Sequence, residues 1–201
     1  MIIGSGRLRG RSLKTIGTQP WLRPTSDKAR EGLMDVLRPV LAGARFIDVC
    51  SGTGAVGIEA ISNGAAHATF VDAESKSVRL LRQNADSLGL RQEVSIVKGD
   101  AEAYVTGLLG SEFDILFADP PFESGLQERL LMALADHLRG EAEGCIIIME
   151  HASRQSVGDQ YAGPAVMLDR YKERRYGDIT MTFFRAARRA SEADPGLNDE
   201  T

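Results

Sequence analysis

From residue 44 onward, short apolar runs alternate with stretches of helical spacing, and this alternation restricts the fold more than any other feature of the chain. The runs at 44–50 (ARFIDVC), 67–73 (HATFVDA), 93–100 (EVSIVKGD), 113–119 (FDILFAD) and 144–151 (GCIIIMEH) read as strands. Between them GAVGIEAISNG, ESKSVRLLRQNADSLGL and SGLQERLLMALADHLRG read as helices. Strands taken in turn with helices predict a parallel sheet with helices on both faces. The near-continuous apolar character of the runs fits strands buried on both sides. Segments 166–177 and 178–186, joined through Gly-Asp, predict a closing antiparallel hairpin. Upstream, residues 25–41 read as a helix capped by Thr25 or Ser26. Residues 1–16 read as a short basic hairpin with Gly4, Gly6 and Gly10 near its bend. The polar residues after 187 are expected to be disordered.

A chain of 201 residues suffices for one well-buried domain with a small extension. No apolar stretch reaches transmembrane length and the N-terminus lacks the apolar centre of a signal peptide, so the expected location is the cytoplasm. Cys50 and Cys145 stand at strand-like apolar positions and are expected to be buried thiols. No Cys/His cluster has zinc spacing, so no metal is expected. The net charge of −4 is unevenly spread. Residues 1–38 hold eight basic and three acidic residues. A basic arm on an acidic body is read either as a nucleic-acid contact or as a solvated tail.

In open α/β sheets, ligands bind beyond the carboxyl ends of the strands. The first such end, FIDVCSGTGAVGIEA, contains Asp48-x-x-x-Gly52-x-Gly54, whose glycines permit a tight turn and close approach to the backbone. Gly52-x-Gly54-x-x-Gly57 also matches the dinucleotide fingerprint, with Asp72 at the end of the second strand as a ribose ligand. A carboxylate at Asp48 would repel a pyrophosphate and suits a cationic ligand. S-adenosylmethionine, with an ammonium, a sulfonium and no phosphate, answers that description. Asp100 either contacts the adenine or caps the next helix. Glu59 is expected to be structural or surface-exposed.

The fourth strand ends in Phe117-Ala-Asp119-Pro120-Pro121-Phe122. Two prolines stiffen the chain and cannot donate to a ladder. Asp119 and the Pro120 carbonyl can accept hydrogen bonds from an exocyclic amine, and Phe122 can stack on a base. Positioning of this kind contributes roughly 7–11 kcal/mol in favourable cases. Cytosine C5 chemistry needs an attacking cysteine, and neither cysteine follows a proline. His67, His137 and His151 fit no catalytic role, His151 being read as structural although it could approach the site. Tyr171 and Tyr176 are read as hairpin packing, with stacking on RNA as the alternative.

These segments together resemble the RsmD family of 16S rRNA (guanine-N2)-methyltransferases. The resemblance runs from about Ile2 to about Ala186 through MIIGSGRLRGRSL, LRPTSDKAREGLMDVL, DVCSGTGAVGIEAISNGA, DPPF and RRYGDITMTFF. It implies a Rossmann-like class I methyltransferase fold, with a mostly parallel seven-stranded sheet, an antiparallel C-terminal hairpin and a small N-terminal β-hairpin. It divides the chain into a basic extension (1–20), a methyltransferase domain (21–186) and a polar tail (187–201). The implied activity is methyl transfer from S-adenosylmethionine to N2 of a guanine in small-subunit rRNA or a pre-ribosomal particle, and a monomer is expected because nothing in the sequence suggests an obligate dimer. Asp119, Pro120 and Phe122 match the catalytic motif. The implied donor site comprises Asp48, Ser51, Gly52, Gly54, Asp72, Asp100 and Ala101, with Arg23 and Thr25 of the RPT segment. Arg7, Arg9, Arg11 and Lys14 are the expected RNA contacts. Cys50-Ser51 departs from the family's usual Phe-Ala before the turn glycine. The competing readings are DNA adenine N6, cytosine N4 or protein glutamine methylation, and a non-catalytic RNA-binding assembly factor.

Overall fold

The computed structural model describes residues 1–15 and 27–189. The elements in chain order are α1 (Asp27–Leu41), β1 (Arg45–Val49), α2 (Ala55–Ser62), β2 (His67–Asp72), α3 (Ser75–Leu88), β3 (Val94–Lys98) and α4 (Ala101–Thr106). They continue with β4 (Ile115–Ala118), α5 (Leu126–His137), β5 (Ile146–Ala152), β6 (Gln160–Ala162), β7 (Val166–Tyr176) and β8 (Ile179–Arg188). The strands form one sheet in the order β3-β2-β1-β4-β5-β8-β7-β6. The first five are parallel and β8, β7 and β6 are antiparallel to their neighbours. This is the expected parallel sheet with its antiparallel hairpin, in eight strands rather than seven. The extra strand, β6, has three residues and is too short to leave an apolar run. β8 also runs two residues past the expected end at 186.

Strands β4 and β5 are buried along their whole length, which is why β4 and the first four residues of β5 are unbroken apolar runs, with Glu150 and His151 buried at the carboxyl end of β5. One face of the sheet packs against α1, α2, α3 and the N-terminal arm, around Leu33, Leu37, Ile58, Phe70 and Leu81. The other packs against α4 and α5, around Val105, Leu116, Leu130, Leu134 and Phe184. The β4 side chains alternate between them, Ile115 and Phe117 entering the first core and Leu116 and Ala118 the second.

The arm is a tight antiparallel loop with one bridge, Ile2 to Ser12, and left-handed glycines at Gly6 and Gly10. It buries Ile3, Leu8 and Leu13 in the same core as α1. The Leu8 N–H donates to Ser62 Oγ at 2.9 Å, and Ser62 Oγ donates to the Ser5 carbonyl at 2.6 Å. A Cβ at Gly6 would overlap the Ser62 carbonyl. Arg30 lies under the arm, 1% exposed. It donates to Glu59 at 3.4 Å, to Asp27 at 2.6 Å and to the Ile2 carbonyl at 3.3 Å, and Glu59 accepts the Gly4 N–H at 2.9 Å. Glu59 is therefore structural. Two residues that the resemblance places at the donor site, Arg23 and Thr25, lie outside the described residues, as do Pro24 and the tail beyond Arg189.

Candidate active site at the carboxyl ends of the strands

Strands β1 and β4 are neighbours, with Val49 opposite Ala118, so the glycine turn and the Asp-Pro-Pro-Phe corner emerge side by side. The turn is held in unusual backbone conformations. Gly52 and Gly54 have φ of 53° and 75°, and Cys50 has φ of 59°, a strained value for a residue with a Cβ. Asp72 fixes the turn from β2. Its Oδ2 accepts the Gly52 N–H and its Oδ1 the Glu74 N–H, both at 2.8 Å. Asp48 is 1% exposed and accepts the Gly57 N–H at 2.9 Å in the first turn of α2. The two acids assigned to the ligand therefore also build its turn. Asp72 also takes a hydrogen bond from the Ser77 side chain, and the lone pairs left on the two carboxylates are available to a ligand.

The third glycine of the fingerprint has a packing reason. A Cβ at Gly57 would overlap Phe70, reaching its Cζ at 2.8 Å, and would stand 3.2 Å from Asp48 Oδ2. Gly57→Ala is expected to cost about 2–3 kcal/mol by overpacking, lowering Tm by about 4–12 °C in a domain of this size. A thermal melt checks this, and an unchanged melt would contradict the packing assigned to α2. At Gly52, by contrast, an added Cβ meets nothing within 4 Å, so the turn faces open space.

Four carboxylates converge here. The Cys50 thiol is pushed up to about 12 by burial and by Asp72, Asp119, Asp48 and Asp100 together. A thiol held that high is no nucleophile. Burial also lifts the Asp48 carboxyl well above its ordinary value, with Asp119 and Asp72 adding repulsion. Desolvation pushes Asp119 up to about 7. Like charges crowded into a half-buried basin are relieved by a cation. That is the test a sulfonium- and ammonium-bearing ligand passes and a pyrophosphate fails. Ser51 is buried and Ala101 opens α4 beside Asp100. Asp100 caps α4, its Oδ1 accepting the Ala103 N–H at 2.9 Å.

The corner itself is braced by two residues that no sequence pattern marked. Gln127 of α5, 4% exposed, reaches the Pro120 and Pro121 carbonyls from Nε2 at 3.5 Å each. Gln155, beyond β5, donates to the Phe122 carbonyl at 2.5 Å. The long Gln127 contact leaves the Pro120 carbonyl able to accept a better donor. The Asp119 N–H bonds the Val49 carbonyl at 3.2 Å, tying the corner to β1. Phe122 is half-buried at the start of a 3-10 turn spanning Phe122–Ser124.

His151 is 2% exposed, with its ring nitrogens on the Ala152 carbonyl and Thr182 Oγ1, so it is structural. Cys145 is buried and bonds the Phe113 carbonyl at 3.1 Å, and both cysteines are free thiols. Tyr171 packs edge-on against Phe183 under the Arg185 guanidinium. Among the described residues no group of three His, Cys, Asp or Glu could hold a metal ion, and no helix is long and apolar enough to cross a membrane.

The structure does not bring Arg7 or Arg11 to this basin. Arg7 pairs with Glu93, just before β3, and Arg11 donates to the Ser87 carbonyl near the end of α3. Both lie at the amino ends of the strands. Arg9 is exposed on the same loop. Lys14 runs beside α3, its backbone bonded to Asn84, which also donates to the Thr53 carbonyl of the glycine turn.

Comparison with known proteins agrees with this geometry. Residues 1–185 match the family model described as Conserved hypothetical protein 95. The ribosomal RNA small subunit methyltransferase D of Escherichia coli (strain K12) is 37% identical over 136 residues, covering 68% of this chain and 67% of its own. The solved structure of yhhF from Escherichia coli superposes with a TM-score of 0.78 at 26% identity, covering 93% of this chain and 98% of that one. An RNA methyltransferase from Salinibacter ruber, solved with S-adenosyl-L-homocysteine, shares the fold at a TM-score of 0.62 and 15% identity, covering 85% and 97%. The chain thus belongs to the Conserved hypothetical protein 95 family, the RsmD family of rRNA methyltransferases.

Proposed function

We propose that the protein transfers the methyl group of S-adenosylmethionine to the exocyclic N2 amine of a guanine in 16S rRNA, within the small subunit or its precursor. The observation that carries this reading is the placement of Asp119 and the Pro120 carbonyl, two acceptors on a rigid corner, beside the acid-lined glycine turn. We read residues 21–186 as the catalytic domain, residues 1–20 as its extension, the cytoplasm as its location and a monomer as its working form.

The donor supplies an electrophilic methyl on a sulfonium. Asp48, Ser51, Gly52, Gly54, Asp72, Asp100 and Ala101 line its place, with Arg23 and Thr25 assigned from the resemblance. Asp72 offers free lone pairs to ribose hydroxyls. The target base must leave its stack to reach Asp119. Phe122 fixes the plane of the base by stacking. An exocyclic amine is a poor nucleophile because its lone pair is delocalised into the ring. Asp119 and the Pro120 carbonyl accept its two N–H bonds, draw it toward a tetrahedral shape and aim the lone pair at the methyl. Asp119 stabilises the positive charge that grows on nitrogen as the amine takes the methyl, and it accepts the proton the amine then sheds, leaving a neutral N2-methyl product.

The test is incubation of the purified protein with labelled donor and under-methylated small subunits, followed by digestion to nucleosides. Label in N2-methylguanosine is expected. Label in N6-methyladenine, N4-methylcytosine or protein glutamine, or none despite donor binding, would overturn the reading.

A further inference from the structure

An acidic basin repels a polyanion, so an RNA-modifying site built from four carboxylates needs cations at its rim. The arm does not supply them there, because Arg7 and Arg11 are engaged at the opposite end of the sheet. The β7–β8 hairpin does. Its tip, Gly177-Asp178, is fastened to the carboxyl end of β5. The Ser153 N–H donates to the Asp178 carbonyl at 2.8 Å, Ser153 Oγ donates to the Gly177 carbonyl at 3.1 Å, and Ala152 pairs with Ile179. β5 in turn borders β4, which ends at the catalytic corner. At about 4.8 Å per strand, β8 is roughly 10 Å from β4.

Arg174 and Arg175 stand just before this tip, both exposed. Their guanidiniums donate to backbone carbonyls, Arg174 to Glu173 and Arg175 to Gly177, and neither has a carboxylate partner among the described residues. The nearby acid Glu173 is taken by Arg170, which also pairs with Asp159. Lys172, two residues before Arg174 on the same strand, has no ion pair among the described residues. This leaves Arg174 and Arg175, consecutive on the strand and so directed to its two faces, as cations without a carboxylate partner among the described residues at a tip that also carries Asp178.

We propose that the β7–β8 tip, with Arg174 and Arg175 and with Lys172 behind them, binds the phosphates flanking the target guanine. The proposal rests on the rRNA methylation reading and adds where the RNA backbone lies. The other basic surface, the arm, with Arg7 and Arg11 at the opposite end of the sheet, is then chiefly a structural brace for α2 and α3.

The test compares the Arg174→Ala/Arg175→Ala double variant with wild type and with Arg9→Ala. The assay is methylation of under-methylated small subunits at several salt concentrations, with donor binding measured by calorimetry. The double variant should raise KM for subunits about tenfold near 0.1 M salt. It should also flatten the log–log salt dependence by about 1.4–1.8, the share of two phosphate contacts. Its kcat and donor affinity should stay at wild-type values, and Arg174→Lys/Arg175→Lys should restore most of KM because a phosphate accepts either cation. Arg9→Ala should change little. A double variant with wild-type KM and salt slope, or one that loses donor affinity as well, overturns the proposal while leaving the function reading intact. Wild-type protein that labels no RNA overturns both.

Discussion

Asp119→Ala is expected to lower kcat for methyl transfer by about 10²–10³-fold, the range for removal of one preorganised group from a charge-stabilising site. Donor binding should survive, because Asp48, Asp72 and the glycine turn remain. Rapid-quench assays with calorimetric donor binding separate the two. Near-normal kcat would remove Asp119 from the reaction. A pH signature follows as well. Only the ionised carboxylate accepts its share of the amine hydrogens and stabilises the charge that grows on nitrogen, and desolvation has raised this group to about 7. Activity of the wild type should therefore rise with pH through that region and level off, with the bound cation moving the midpoint downward. Asp119→Asn should lose this limb of the profile.

The same shift affects stability. Between the ordinary carboxylate range and about pH 7 the folded chain holds a proton that the unfolded chain has released. The site's contribution to stability is complete below that window, falls as pH rises through it, and stays lost above about 7. Asp119→Asn should thus be more stable than wild type at pH 8 without ligand, by about 1–3 kcal/mol once partial exposure is allowed for. An active residue that weakens its own fold is a common cost of function. Equilibrium urea unfolding at pH 5 and pH 8 tests this, and an Asn variant less stable at pH 8 would contradict it.

Glu59→Ala should be among the most destabilising substitutions outside the site, by about 3–5 kcal/mol. It removes one partner of a buried ion pair, leaving Arg30 at 1% exposure without its interior carboxylate. It also strips the Gly4 N–H of its acceptor. Asp27 still holds one edge of the guanidinium, which places the effect toward the lower end of the range. Glu59→Gln keeps an oxygen for Gly4 and should cost less. The arm is anchored through this pair, so limited proteolysis within residues 1–15 should accelerate in Glu59→Ala. Thermal melts and cleavage rates that match wild type would contradict the anchoring role.

What could be read from the sequence was what local pattern encodes. β4 and the first half of β5, Ile146–Met149, showed because burial on both faces leaves those positions apolar. The glycine turn and the Asp-Pro-Pro-Phe corner showed because positive φ and paired prolines demand particular residues. The hidden parts depend on distant segments meeting. Gln127 and Gln155 brace the corner from α5 and from beyond β5, and a lone glutamine carries no signal of its partner. Arg30 and Glu59 are 29 positions apart and look like two ordinary helix-surface charges. The surplus of positive charge in the first 38 residues was visible, but not that Arg7 and Arg11 would be turned toward Glu93 and Ser87, away from Asp119. Asp100 shows the limit of a single position, since cap and ligand contact demand the same residue type and only the Ala103 bond reveals the cap.

The central claim is that a sulfonium sits against the acid-lined turn with its methyl directed at the Asp119–Pro120 corner. A crystal structure of the protein with S-adenosylmethionine tests it most directly. The sulfur should lie over Gly52 within the ring of Asp48, Asp72 and Asp119, with the methyl pointing toward Asp119 and the Pro120 carbonyl. Donor bound elsewhere, or a methyl turned away from that corner, would contradict the account.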